Sequence, residues 1–277
     1  MSKVWFITGA TRGMGVEIAK AALAARNKVV ATGRKAEDVT KSLGTSDNLF
    51  VTALDITRED QVKDAVQDAI EHFGRIDVLV NNAGYGHLGV FEESSMEEIR
   101  AQYNTNVFGT MAVTQAVIPG MRKQRSGRII NISSVAGLKG VFGGSIYNSS
   151  KFAVEGFTQA IAEELALFGV YVTAVSPGFF RTDFLDSSSV KYSNDSISDY
   201  SDALETFRKF HDDRNHTQAG DPVKLAEVIL HLAKVENPPV SFIAGSDGIE
   251  WAESVIKSKQ EEIDAWRNLS VSTDGNW

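Results

Sequence analysis

Short, almost wholly apolar runs alternate along the chain with longer stretches whose apolar residues recur every three to four positions. The first kind reads as buried strands and the second as amphipathic helices. Val4–Thr8 is the first strand, and Val16, Ile18, Ala19, Ala22 and Leu23 mark a helix running to Ala25. Lys28–Thr32, Leu49–Ala53 and Ile76–Val80 are the next three strands. Between the last two, Val62, Ala65, Val66, Ala69, Ile70 and Phe73 form a helical stripe, with Thr57 and Asp60 at capping-box spacing before it. Ser94 with Glu97, and Ser95 with Glu98, show the same spacing and open a long helix to about Gly120. Gly127–Ile132 is the fifth strand, and the helix that follows runs to about Phe168. Tyr171–Ser176 is the sixth. Asp221-Pro222 is an N-cap and first-turn pair for a helix through Lys234, and Val240–Ala244 is the seventh strand.

The pattern falters in three places. Asn106 and Gly109 fall inside a helix that neither favours, and such local conflict marks a functional or closely packed site. Asp183–His216 is polar, mixed and poorly periodic, and long for a connection, with Ser187-Ser188-Ser189 and Asn194-Asp195 reading as flexible. Beyond the seventh strand, Ile249–Leu269 is amphipathic through Trp251, Val255, Ile256, Ile263 and Trp266. Ser270–Trp277 reads as a loose tail.

Composition narrows the class. A chain of 277 residues, 43% hydrophobic and 23% charged, makes one large α/β domain or two small ones. That core needs no disulfide or metal. Cysteine is absent, which excludes disulfides and thiolate chemistry. No apolar run approaches the ~20 residues of a membrane span, and no signal peptide is expected, since Val4–Thr8 is short and leads straight into glycines. A cytoplasmic protein without membrane partners is expected. The net charge of −8 disfavours nucleic acid. The five histidines lack metal-ligand spacing, so no metal is expected.

Candidate chemistry clusters at strand ends. Gly9, Gly13 and Gly15 sit between the first strand and the first helix, the first half of a dinucleotide-binding unit. Gly9 permits the turn, Gly13 lets backbone approach a pyrophosphate, and Gly15 lets helix pack on strand. The helix N-terminus offers free N–H groups to the phosphates. The second strand ends in Gly33-Arg34 and carries no acid, so Arg34, with Arg12 of the glycine loop, would accommodate a 2′-phosphate; the alternative is that both arginines are merely solvated. Asp55, after the third strand, would accept from an adenine amino group or help cap a helix. Asn81-Asn82-Ala83-Gly84 ends the fourth strand, where ligands bind in open α/β sheets.

Tyr147 and Lys151 lie four residues apart, on one helical face and about 6 Å apart along its axis. Ser134 ends the fifth strand 13 residues earlier. A hydroxyl, a phenol and an ammonium brought together suit proton transfer at an alcohol oxygen. A neighbouring ammonium favours the phenolate, and lowering its pKa by about 3 units takes about 4 kcal/mol, which Lys151 and a cationic nicotinamide would supply. A surface contact is the plainer use of such a pair.

Taken in order, Thr8-Gly9-x-x-x-Gly13-x-Gly15, Asn81-Asn82-Ala83-Gly84, Asn106, Ser134, Tyr147-x-x-x-Lys151 and Pro177-Gly178-x-x-x-Thr182 resemble the compact branch of the short-chain dehydrogenase/reductase superfamily. The resemblance spans Val4–Thr182, about two-thirds of the chain. It implies a single Rossmann-type α/β domain, a doubly wound parallel sheet of about seven strands over 1–245. Residues 183–216 would be its substrate loop and 246–277 a C-terminal helical extension and tail. It implies an NADP(H)-dependent oxidoreductase interconverting a carbonyl and an alcohol. Tyr147 would be the general acid/base. Lys151 would hold the ribose hydroxyls, and Ser134, rather than Ser133, would polarise the substrate oxygen. Asn106 would hold a water in a proton relay, and Thr182 would bind the carboxamide. The cofactor set is Gly9, Thr11, Arg12, Gly13, Met14, Gly15, Arg34, Asp55, Ile56, Asn82, Ala83, Gly84, Tyr147, Lys151, Pro177, Gly178 and Thr182.

The expected partner is a small, fairly apolar carbonyl or alcohol, and the expected assembly a homodimer or homotetramer. Phe179, Phe180, Phe184 and Tyr192 would wall the substrate or pack a lid. Arg181 would meet a substrate carboxylate or play a structural or solvated role. The alternative function is an NADP-binding sensor or scaffold without turnover.

Overall fold

The apolar runs become parallel strands, the inner ones buried on both faces and the edge strands only in part. The computed structural model describes residues 2–186, 189–193 and 196–275. In chain order its strands are β1 (Val4–Ile7), β2 (Lys28–Gly33), β3 (Leu49–Ala53), β4 (Val78–Asn81), β5 (Gly86–Leu88), β6 (Gly127–Ile132), β7 (Val170–Pro177), β8 (Val190–Tyr192) and β9 (Ser241–Ala244). The helices are α1 (Gly13–Ala24), α2 (Ala36–Leu43), α3 (Glu59–Phe73), α4 (Met96–Tyr103), α5 (Thr110–Gln124), α6 (Ser145–Ala166), α7 (Ser201–Asp212), α8 (Pro222–Leu232) and α9 (Ser246–Val271).

Seven strands form one parallel sheet in the order β3-β2-β1-β4-β6-β7-β9. Trp5 pairs with Val29 on one side and Val78 on the other, so β1 is central. Alternation along β1 sends Trp5 and Ile7 to a core with α1 and α8, and Phe6 to a second core with α3, α5 and α6. The order turns back between β1 and β4. The crevice beyond their C-terminal ends is the ligand position of such a sheet.

Local chemistry decides where helices begin. Ser95 and Glu98 form the capping box of α4: Glu98 N–H donates to Ser95 Oγ (3.2 Å), and Ser95 N–H donates to Glu98 Oε2 (2.8 Å). Ser94 instead donates to the Val90 carbonyl. The expected Thr57/Asp60 cap does not form. Thr57 donates from its N–H and its hydroxyl to Asp55 Oδ1, a shorter-range turn, and α3 starts at Glu59 without a side-chain cap. Asp221 caps α8 as expected, accepting from Val223 N–H.

The helix conflict at Asn106 and Gly109 resolves into a π-helical stretch, Asn104–Gly109, between α4 and α5. Gly109 passes so close to Ile56 that an added Cβ would lie 2.7 Å from its side chain. The helical run then continues past Gly120 to Gln124.

The segment after β7 is more ordered than its pattern suggests. β8 pairs with β5 in a two-stranded parallel ribbon, and α7 occupies Ser201–Asp212. Ser189 is buried, and its N–H donates to the Asp186 carbonyl. The other residues read there as flexible, Ser187, Ser188, Asn194 and Asp195, lie outside the described residues. The C-terminal helix takes in Ser270 and Val271, which had read as tail. No helix among the described residues is long and apolar enough to cross a membrane.

Candidate active site

The glycine turn after β1 is built for close approach. Gly9 (φ +69°) and Gly13 (φ +57°) adopt backbone that disfavours a Cβ. A Cβ on Gly15 would stand 2.3 Å from the Gly9 carbonyl. Gly15 therefore packs beneath the loop rather than lining the cavity. Thr8, which the sequence reading left without a role, is the fastener: its Oγ1 accepts from the N–H groups of Asn82 (3.0 Å) and Ala83 (3.1 Å). Asn82 Nδ2 donates to the carbonyls of Thr8 and Gly9, both at 3.0 Å. The Asn82 side chain thus holds the loop.

Above this turn opens a cavity of about 700 Å³. Its walls take the expected residues from successive strand ends: Thr11, Arg12, Gly13 and Met14 after β1, Arg34 after β2, and Asp55 and Ile56 after β3. Asn82, Ala83 and Gly84 follow β4, and Pro177, Gly178 and Thr182 end or follow β7. The Asp55 carboxylate already serves Thr57. These residues fit a dinucleotide with a 2′-phosphate. The cradle has no room for side chains, α1 opens without a side-chain cap, and the exposed Arg34 stands at the end of β2, where an acid would select the free hydroxyl, with Arg12 on the same cavity wall.

The opposite wall carries the expected proton-transfer trio. Ser134 caps the turn after β6, accepting from Ala136 N–H at 3.1 Å, and its hydroxyl faces the Tyr147 phenol closely enough to lower its pKa. Lys151 lies one turn along α6, its Nζ 5.8 Å from the Tyr147 ring centre and donating to the Ile132 carbonyl (2.9 Å). Asn106 stands behind the cavity wall. Its Oδ1 accepts from Tyr85 N–H (3.1 Å), and its Nδ2 donates to the Tyr85 carbonyl (3.0 Å) and to Ser150 Oγ (3.2 Å). The widened helical turn puts it there.

Burial sets the protonation of this group. It pushes the Tyr147 phenol up to about 12, against the lowering effect of the Ser134 hydroxyl. Burial also pulls Lys151 down to about 8, against the charge of Glu155. Desolvation therefore keeps the Tyr147 phenol protonated among the protein's own groups. Glu155, buried one turn beyond Lys151 and accepting from the Ser176 hydroxyl, was missed; its i, i+4 spacing from Lys151 was the available signal.

The four aromatic candidates separate. The Phe184 ring centre lies 5.6 Å from that of Tyr147, on the cavity wall with Phe179. Phe180 also reaches the wall but belongs to the core. Tyr192 is not a wall residue and stacks with Arg208 at 5.1 Å. Arg181 is structural, donating from Nε and Nη2 to the Gln218 carbonyl. Phe207 and His211 of α7 complete the substrate side. Asp247, at the start of α9, accepts from Phe179 N–H at 2.7 Å. No local sequence signal pointed to these three.

The short chain dehydrogenase family model matches residues 3–193. The oxidoreductase BOA17 of Botryotinia fuckeliana is 36% identical over 276 residues, covering 99% of this chain and all of the relative. A short-chain dehydrogenase from Streptomyces avermitilis superposes with a TM-score of 0.92 at 33% identity, covering 99% of this chain and 100% of that one. ElxO, solved with NADP bound, gives a TM-score of 0.74 at 28% identity, covering 90% of this chain and 100% of its own.

Proposed function

Because the chain belongs to the short-chain dehydrogenase family, we propose that it is an NADPH-dependent reductase of a ketone or aldehyde on a fairly apolar substrate. The observation that carries this reading is the grouping of Tyr147, Ser134 and Lys151 on the wall of the cavity that also holds the glycine cradle. The bound cofactor supplies the hydride. The Tyr147 phenol is protonated at neutral pH and so carries the proton that reduction of a carbonyl requires.

In this reading Ser134 holds the carbonyl oxygen and Tyr147 gives it the proton. Lys151 binds the ribose hydroxyls and stabilises the phenolate left behind. Asn106 joins the proton relay to Lys151, a role supported by its bond to Ser150, the neighbour of Lys151. Gly9, Gly13 and the start of α1 hold the pyrophosphate, Arg12 and Arg34 the 2′-phosphate, and Thr182 the carboxamide. Exposed Phe108, Phe152 and Leu167 supply apolar surface for a homodimer or homotetramer.

The test is Tyr147→Phe, read by NADPH fluorescence titration beside turnover on a panel of carbonyls. NADPH affinity stays within about twofold, while turnover falls by about 10³-fold, the scale of a lost general acid. Retained turnover overturns the assignment. NADPH binding by the wild type with no carbonyl reduced favours the non-catalytic sensor.

A further inference from the structure

The substrate wall holds an acceptor that the reaction above does not use. Phe207 roots α7 on the loop leading into α6: its ring lies so near Gly143 (φ +69°) that a Cβ there would be 2.9 Å from it, and it meets Phe142 edge-on at 6.0 Å. One turn later, on the same helical face, comes His211, its ring centre 4.3 Å from that of Phe207. His211 Nδ1 lies 2.8 Å from the Phe207 carbonyl. A carbonyl oxygen only accepts, so Nδ1 carries the proton and the lone pair of the neutral ring is at Nε2.

Burial holds His211 below the ordinary histidine range, with the Phe207 carbonyl opposing, so the ring is neutral at pH 7. Among the described residues Nε2 has no hydrogen-bond partner, and His211 lines the cavity that holds Tyr147. An apolar ring would complete the stack with Phe207 and Phe210 equally well; the imidazole adds the Nδ1–H bond within its own helix and, toward the cavity, the acceptor. A second acceptor stands on the same cavity. Gln218 is 4% exposed and its Oε1 is enclosed without a partner. Around these groups the wall is aromatic, from Tyr85, Phe184 and Phe207.

Resting on the reductase reading above, we propose that His211 determines specificity: its Nε2 accepts a hydrogen bond from a hydroxyl carried by the substrate away from the reacting carbonyl. The substrate class is then hydroxylated aromatic ketones and aldehydes. A ligand without that donor strips water from Nε2 and returns nothing, which is how a built acceptor rejects the deoxy analogue.

The probes are 4-hydroxyphenyl alkyl ketones of graded chain length, each with its phenyl and 4-methoxyphenyl counterparts. Affinity is measured by calorimetry on the protein with and without NADPH, and kcat/KM alongside. For at least one chain length the hydroxyl compound should lead both counterparts by about tenfold or more, equivalent to about 1.4 kcal/mol. His211→Phe, which keeps a ring in the stack, should bring that ratio within about twofold by weakening the hydroxyl compound alone. His211→Gln, which restores an acceptor at similar reach, should recover part of it. Equal treatment of the pairs by the wild type overturns the proposal, as does a preference that survives in His211→Phe. Turnover without preference sinks the His211 assignment and leaves the reductase standing. Preference in binding with no turnover sinks the reductase and leaves the assignment standing.

Discussion

The two walls of the cavity recognise their ligands by different means. The cofactor wall is mostly backbone: Gly9, Gly13 and the first turn of α1, drawn tight by Thr8 and Asn82. The substrate wall is mostly side chain: Phe184 after β7, Phe207 and His211 on α7, and Tyr85 beside β5. A backbone wall fixes shape and tolerates no added atom. A side-chain wall can exchange one ring for another and so change what it accepts without moving the sheet.

The sharpest way to break this contrast is a single methyl on the cofactor side. Gly15→Ala places a Cβ 2.3 Å from the Gly9 carbonyl and 2.5 Å from Asn82 Nδ2, both parts of the fastened loop. Overpacking of this kind costs about 1–3 kcal/mol, and we expect NADPH affinity in fluorescence titration to fall by more than about 100-fold. Phe184→Leu, a larger chemical change on the other wall, should leave that affinity within about twofold. Similar losses in both would erase the distinction.

Lys151 sits where the walls meet, and its burial gives the next largest effect. Folding lowers it from 10.5 to about 8, so the unfolded chain binds more protons between those values and stability rises with pH across that window. Below about pH 8 the buried ammonium costs about 3 kcal/mol. Lys151→Met should abolish turnover yet raise the melting temperature at pH 7 by ~5 °C, read by calorimetry. In the wild type, reductive kcat/KM should decline as pH rises through about 8 and Lys151 loses its charge. A lower melting temperature in the variant would show that the Ile132 contact outweighs desolvation. Smallest is Arg34→Ala: NADPH should weaken about tenfold while NADH is unchanged. An equal effect on both cofactors would move the 2′-phosphate contact away from Arg34.

The same contrast explains what the sequence could announce. Gly9, Gly13 and Gly15 advertise themselves because backbone conformation and close approach are local demands that one residue type meets. Tyr147 and Lys151 are joined by helical spacing, and Ser95 with Glu98 by capping geometry. Asn106 and Gly109 were visible as a conflict, though not as the π-helical stretch that resolves it. The substrate wall gave no such notice. β5 and β8 are three residues each and pair at a separation of 104 residues, and α7 lies in a polar segment with a short stripe of Leu204, Phe207 and His211. The Thr57 cap failed because a nearer carboxylate, Asp55, won the hydroxyl. The protonation of Tyr147 depends on burial, which spacing does not report.

One contact bears on the timing of synthesis. Asp247 accepts from Phe179 N–H, and its carboxylate lies against Gly178, so that a Cβ on that glycine would meet Asp247 Oδ1. The dinucleotide seat that opens at Gly9 is therefore closed by a residue near the other end of the chain. During translation the glycine turn, the sheet and the Tyr147 helix all emerge before the group that braces the Pro177–Thr182 side. A nascent chain can assemble β1 to β7 before Asp247 is made, so the Pro177–Thr182 side of the seat is braced only after the sheet that carries it has formed.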